Sequence, residues 1–293
     1  MNWDDTRIFL AVARTGQLLG AARALGLNHA TVARRLSALE TDLGVKLVDR
    51  RTTGSLLTSA GESFLEIAER VEAEMQAARA RIGGADVALS GTVRIGAPDG
   101  FGVDFLAPRL GALTERHPDL TLQLVPVSRA VSLSRREADI AITVERPEHG
   151  RLVARKLVDY TLGLYASRAY LARSGAPADA QDLRRHALVG YVEDLVYSTA
   201  LAYAGEIDRG FTPRFEIASA LGQVEAVRAG AGIGILHAFI ARRDPDLVPV
   251  LPDKVIRRSY WLVLHESVRD IARVRVAADF IAEEVERARS MFV

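Results

Sequence analysis

Between Leu18 and Leu39 the run LLGAARALGLNHATVARRLSAL repeats apolar or small side chains at Leu18, Ala21, Ala22 and Leu25, then at Val32, Leu36 and Leu39. Three-and-four spacing is the period of a helix with one buried stripe, so the segment predicts two short helices. Gly26 falls between them, where a tight turn needs a residue tolerant of positive φ. Asn28 is placed to cap the second helix through its side-chain oxygen. That leaves Asn28, His29, Ala30, Thr31, Ala33, Arg34 and Arg35 near the start of the second helix, off its buried stripe. Polar and basic residues presented by a helix N-terminus match a helix-turn-helix docked in a major groove. An ordinary helical hairpin with a solvated basic face satisfies the same pattern.

The flanking sequence separates these readings. Lys46–Arg51 and Leu56–Thr58 are two short runs around Thr52-Thr53-Gly54-Ser55, which predicts a hairpin with Arg50 and Arg51 at its tip, followed by Thr52 as a further candidate DNA contact. A wing of this kind lays arginines along phosphates or into the minor groove. From Arg14 to Thr58 there are seven Lys/Arg (Arg14, Arg23, Arg34, Arg35, Lys46, Arg50, Arg51) against three acids (Glu40, Asp42, Asp49). The whole chain carries a formal net charge of only +1, so the basic excess is local, and locality is what steers a polyanion.

These motifs, in this order, resemble the LysR-type transcriptional regulators over essentially the full length. Asn2–Asp5 through Phe9–Ala13 is similar to the family's first helix, and Arg14-Thr15-Gly16 with Ala21–Leu25 to its second. Thr31–Leu36 with Leu39-Glu40 and Leu43-Gly44 is similar to the recognition helix and its exit. Leu47–Arg50 and Leu57–Gly61 correspond to the wing and the start of a linker helix. Several positions depart from the family pattern. Gln17 replaces a capping Ser, and Gly20 lies inside the second helix, where it costs about 1 kcal/mol relative to Ala. His29, Ala30 and Ala33 replace the more usual Gln, Pro and Ser on the groove-facing side, so a relative's operator sequence does not transfer.

A length of 293 residues suits two or three domains, and an apolar content of 49% supplies real cores. The absence of cysteine excludes disulfides and thiolate metal sites. No basic patch leading into an apolar segment opens the chain, and no uncharged apolar run is long enough to span a bilayer. A cytoplasmic protein without a membrane partner is expected.

Residues 59–82 predict one long helix, with an alternating four-and-three seam of Leu57, Gly61, Phe64, Ala68, Val71, Met75, Ala78 and Ile82. Its flanks are acidic. The seam reads as a dimerisation surface through Phe64, Ala68, Val71, Met75 and Ala78, the alternative being a helix packed on its own domain. Dimerisation would set two recognition helices on successive major-groove faces.

Past Gly83-Gly84 and Ser90-Gly91 the composition changes. Strand-like runs at 92–96, 120–125, 139–143, 162–165, 187–191, 232–236 and 260–264 alternate with helical stretches, among them 105–117 and 270–289. Alternation of this kind implies an open α/β sheet. The expected fold is therefore an N-terminal all-α winged helix-turn-helix (1–58), a linker helix and hinge (59–90) and a C-terminal α/β regulatory domain (91–293). The family resemblance divides that domain into two lobes, about 91–161 with 265–293 and about 162–264, similar to periplasmic binding proteins. A ligand in such a fold sits beyond the carboxyl ends of the strands. The candidate effector-binding residues are Pro98, Asp99, Gly100, Phe101, Ser128, Arg129, Thr143, Tyr191 and Ser219, the last at a helix N-terminus.

Enzyme chemistry finds little support. Gly230-Ala231-Gly232-Ile233-Gly234 follows a helix and enters a strand, the reverse of a dinucleotide fingerprint, and tight helix-to-strand packing explains it better. The six histidines show no close ligand spacing, and no nucleophile elbow or P-loop is present. The reading is a regulator without cofactor, metal or catalytic residues. Its expected partners are double-stranded promoter DNA, a second copy of itself in a homodimer or homotetramer, a small-molecule effector and, as a further candidate, RNA polymerase. The rival readings are an α/β enzyme carrying a helix-turn-helix and a DNA-binding protein without a ligand.

Overall fold

The first 82 residues build a helical module around one apolar core. Helix α1 (Trp3–Thr15) is capped by Asn2, whose side chain accepts from the Asp5 amide at 3.0 Å. Helices α2 (Leu18–Leu25) and α3 (His29–Leu43) follow, and Phe9, Leu10, Ala21, Ala22, Val32, Leu36 and Leu39 are buried together. The predicted stripe is therefore the packed face. In this computed structural model the described residues are 2–51, 54–82, 89–127, 133, 138–148, 150–196, 198–208 and 210–292, with backbone alone at 50–51, 66, 70, 73–74, 76–82 and 127.

Gln17 makes no side-chain cap to α2, as its chemistry predicts. Gly20 has a packing reason: a Cβ there would lie 2.9 Å from the Thr15 Cβ, where α1 ends against α2. The wing is β1 (Val48–Arg51) antiparallel to β2 (Gly54–Leu57), with Val48 opposite Leu57 and Arg51 opposite Gly54. Its second strand is tied to the α1–α2 turn by the Ser55 amide, which donates to the Gly16 carbonyl at 2.7 Å.

Helix α4 (Ser59–Ile82) spans the predicted residues. The Thr58 hydroxyl accepts from the Gly61 amide at 3.0 Å, capping the helix, and donates to the Lys46 carbonyl at 2.7 Å. Gly61 is required by close approach, because a Cβ would stand 2.0 Å from the Leu47 carbonyl oxygen. The expected dimerisation seam divides here. Phe64 packs edge-on against Phe9 at 5.1 Å between centroids, and Ala68 is buried in the module's own core. Both positions face inward because α4 lies against α1, an arrangement reinforced by the Arg14–Glu72 ion pair. Val71 and Met75 remain exposed, joined by Ile67. The side chain of Ala78 lies outside the described residues.

The chain separates into two compact units, Met1–Val87 and Ala88–Val293. The second begins with β3 (Gly91–Pro98), which runs straight into helix. A turn of α5 (Asp99–Phe101) passes through a π-helical segment, Gly102–Leu106, into α6 (Ala107–Arg116). Then come β4 (Leu120–Val127), β5 (Ile140–Thr143), β6 (Leu152–Ser167), α7 (Arg168–Ser174), β7 (Leu188–Gly190), α8 (Ala204–Ile207) and β8 (Phe215–Glu216). The chain finishes with α9 (Ala220–Arg228), β9 (Ile233–His237), α10 (Ala238–Ala241), β10 (Leu247–Pro249), β11 (Val255–His265), α11 (Ala272–Arg287) and α12 (Arg289–Phe292).

Nine strands form one mixed sheet in the order β4-β3-β5-β11-β6-β9-β7-β8, with β10 also paired to β6. β3 is parallel to β4 and β5, and β7 is parallel to β8 and β9. Between these two parallel groups run β6 and β11, long and antiparallel, with a bulge at Tyr260/Trp261. They are the strands that cross between lobes. Both are longer than the short apolar runs expected, because Lys156, Asp159, Arg257 and Arg258 interrupt the apolar pattern on faces that meet solvent or one another. Lys156 and Asp159, for instance, pair at 2.7 Å.

One continuous core extends through both lobes. Phe101 and Phe105 of the first meet Phe292 at 6.1 and 5.0 Å, and Phe292 meets Phe239 of the second at 4.9 Å. The glycine run that ends α9 is a packing device, as its order implied. A Cβ on Gly232 would lie 2.3 Å from the Ala187 carbonyl oxygen, and one on Gly234 would lie 2.7 Å from a methyl of Val227.

Candidate DNA interface and effector cleft

In the first unit, the Asn28 side chain accepts from the Thr31 amide at 2.7 Å and starts α3. His29, Ala30 and Arg34 are exposed, while Thr31 and Ala33 are half-buried. Arg35 takes a different course from the outward orientation expected of it. It turns back toward the first turn of α1, 3.5 Å from Asp4 and 3.8 Å from Asp5. The three-residue period explains this: at i+3 from the buried Val32, Arg35 borders the packed face. Arg50 and Arg51 pair through their backbones with Ser55 and Gly54 in the wing. Thr52 lies outside the described residues.

Glu40 positions the wing and was not singled out from sequence. It is buried, accepts from the Leu47 and Val48 amides at 3.0 and 3.2 Å, and receives the Lys46 ammonium at 2.7 Å. Burial opposes its ionisation, but the Lys46 hydrogen bond and the two amides outweigh that and hold its pKa below the usual carboxylate value. Its position i+4 to Leu36 puts it on the buried face, where the helix itself offers no donor to a carboxylate; the chain reversal at Lys46 brings them.

In the second unit, Asp99 and Ser219 meet across the cleft, as neither alone revealed. The Ser219 hydroxyl donates to the Asp99 carboxylate at 2.6 Å and accepts from the Gly222 amide at 3.0 Å. The Leu221 amide also donates to Asp99, at 3.3 Å. An acid of the first lobe thus sits on the N-terminus of α9 in the second, where the helix dipole favours negative charge. The arrangement recurs at Glu145, which follows β5. It accepts from the Thr199 hydroxyl at 2.8 Å and the Ala200 amide at 2.6 Å, at the start of the 3₁₀ turn Thr199–Leu201. Burial works against the Glu145 charge, yet hydrogen bonds from Thr199, Ala200 and Ser198, with Arg258 nearby, lower its pKa overall. A third acid, Asp104 in the π-helical segment, pairs with Arg243.

Of the other expected cleft residues, Phe101 is placed differently. Phe101 is fully buried in the aromatic core against Phe105 and Tyr260, so it is not a ligand contact. β3 passes directly into α5, which turns Phe101 inward. Pro98 ends β3, and Gly100 is buried, facing Ala220 and Ile240 of the second lobe. Thr143 is half-buried and donates to the Glu145 carbonyl at 2.6 Å. Tyr191 is half-buried. Ser128 and Arg129 lie outside the described residues. Behind Asp99, Tyr160 stacks between His237 at 5.3 Å and Tyr260 at 4.1 Å. Burial pushes the His237 pKa down to about 4, with the Asp99 carboxylate opposing in part, so the ring is neutral at pH 7.

A winged helix-turn-helix in one unit and a two-lobed α/β body in the other define a class, the bacterial regulators that couple DNA binding to a ligand. Residues 3–62 match the profile of the bacterial regulatory helix-turn-helix proteins of the lysR family, and residues 87–286 match the LysR substrate binding domain. The chain belongs to the LysR family of transcriptional regulators. The regulator CrgA of Neisseria meningitidis serogroup C is 28% identical over 290 residues, covering 97% of each sequence. The solved structure of CrgA from Neisseria meningitidis superposes with a TM-score of 0.61 at 26% identity, covering 97% of this chain and 99% of that one. The regulator LysG of Corynebacterium glutamicum, solved with bound effector Arg, gives a TM-score of 0.66 at 20% identity, covering 98% and 99%. The protein is accordingly a DNA-binding transcriptional regulator with an effector-binding domain. Among the described residues, no helix is long and apolar enough to cross a membrane.

Proposed function

We propose that this regulator binds promoter DNA as a dimer, or as a tetramer built from two dimers, and that a small molecule entering between the lobes resets the carboxylate contacts that close them. The observation that carries the reading is the pair of first-lobe acids, Asp99 and Glu145, resting on helix N-termini of the second lobe. An effector that competes for Ser219 or Thr199, or that pairs with either acid, changes the free energy of closure. Only such differential contact shifts the balance of states. The Corynebacterium neighbour of the same fold was solved with a bound effector, which supports a small-molecule ligand for this domain. Relatives named as regulators, rather than any catalytic constellation, favour a non-enzymatic role.

On the DNA side, Arg34 is the groove-reading side chain and Arg50 the wing's phosphate contact. Arg34→Ala is expected to lose about 1–3 kcal/mol of discrimination at one position per half-site, the scale of a bidentate guanine contact. Arg50→Ala is expected to weaken all sequences alike and lower the salt slope by about one per module. Fluorescence anisotropy on specific and scrambled duplexes across a salt series separates the two. Identical behaviour of both variants would refute the division of labour.

A further inference from the structure

Two strands reach β6 from the same side, and the loop between them covers a cavity. β10 pairs with β6 from Leu247 opposite Ser167 to Pro249 opposite Tyr165, and β11 takes over with Val255 opposite Gly163. Residues 250–254 bulge out between these pairings, held by the Val250 amide on the Leu164 carbonyl and the Lys254 amide on the Leu251 carbonyl, both at 2.9 Å. Leu251 sits there at φ 48°, a left-handed conformation that costs a branched side chain energy. The cavity beneath has a volume of about 190 Å³, ample for a compact organic molecule. Val250, Leu251 and Val255 give it apolar walls, and Arg242 and Lys254, both exposed side chains, bring positive charge. Thr161 belongs to the same wall, and its hydroxyl is buried with no hydrogen-bond partner among the described residues. A buried hydroxyl in that state costs energy that a bound acceptor recovers.

We propose that this cavity is a second ligand site, separate from the cleft, for a small carboxylate with a compact apolar body. It shares no lining residue with Asp99, Glu145 or Ser219. Apolar walls bury the body, and Arg242 and Lys254 compensate the anion as it leaves water. The floor is the part of β6 that has just crossed from the first lobe, beside the first residue of β11. A ligand here bears directly on both crossing strands.

Benzoate is the probe, with benzamide as its neutral counterpart, titrated into the full-length protein by calorimetry. Benzoate is expected to bind saturably and benzamide more weakly. Lys254→Glu and Arg242→Glu, both at exposed positions, are each expected to weaken benzoate about tenfold or more, the scale of a lost charge-assisted hydrogen bond. Absence of saturable binding overturns the proposal, as does wild-type affinity in both charge reversals or equal affinity for benzamide. Loss of benzoate binding in Ser219→Ala with Lys254→Glu unaffected would place the probe in the effector cleft and overturn it too.

Discussion

His237 is held neutral inside the regulatory unit, stacked on Tyr160 and edge-on to Phe239 at 5.6 Å. Its pKa falls from the ordinary value near 6.5 to about 4. Between those values the unfolded chain carries the extra proton, so stability falls as pH drops from about 6.5, by roughly 1.4 kcal/mol per pH unit at full slope. Urea unfolding of the wild type and of His237→Phe at pH 7 and pH 5 checks this: the pH penalty is expected to shrink in the variant. At this scale the sequence is uneven evidence. Asn28 was legible as a cap because its neighbours in the chain are its partners. The cost assigned to Gly20 was legible too, but not its cause, since Thr15 meets it only once α1 and α2 have packed. Arg35 was misjudged and Glu40 passed over for one reason: their partners, Asp4 and Asp5 in one case and the Leu47 and Val48 amides in the other, are supplied by other segments.

Helix α4 shows what periodicity says about an element and what it leaves open. The heptad pattern located the helix from 59 to 82, yet a stripe does not reveal its cover. Two of its members, Phe64 and Ala68, serve the module's own core. Among the described side chains of α4, Ile67, Val71 and Met75 are large apolar residues that stay exposed, and we assign dimerisation to that face. Val71→Glu is expected to dissociate the dimer, because an unpaired charge would be buried twice across a two-fold axis. Sedimentation velocity checks this, and an unchanged oligomer would move the interface elsewhere. The change should leave the module folded, since Val71 is not part of its core. Similar limits applied to the strands. The short apolar runs marked the C-terminal parts of β6 and β11, whereas the charge-bearing stretches before them, such as Lys156–Asp159, carried no strand signal.

At the level of the whole regulatory unit, alternation of strand and helix made the α/β class legible, and the family resemblance supplied two lobes. The set of acids joining them was not legible, since Asp99 and Ser219 are 120 residues apart in sequence. Asp99→Ala and Glu145→Ala are expected to speed hydrogen exchange at the Leu221 and Ala200 amides, respectively, by about tenfold or more. Affinity for a specific duplex without effector should hold, because neither residue belongs to the DNA-binding unit. Exchange mass spectrometry with parallel anisotropy reads both, and unchanged exchange would mean that the contacts add little to closure. The order of β11 in the sheet has one more consequence, for synthesis. β3 and β5 are complete by residue 143, but β11, which pairs with β5, arrives only at 255–265, and α11 later still. The strands β7 to β10, in contrast, all lie between 188 and 249. As the chain leaves the ribosome, the second lobe has its strands in hand while the first still lacks a neighbour, so the lobe begun first is the one finished last.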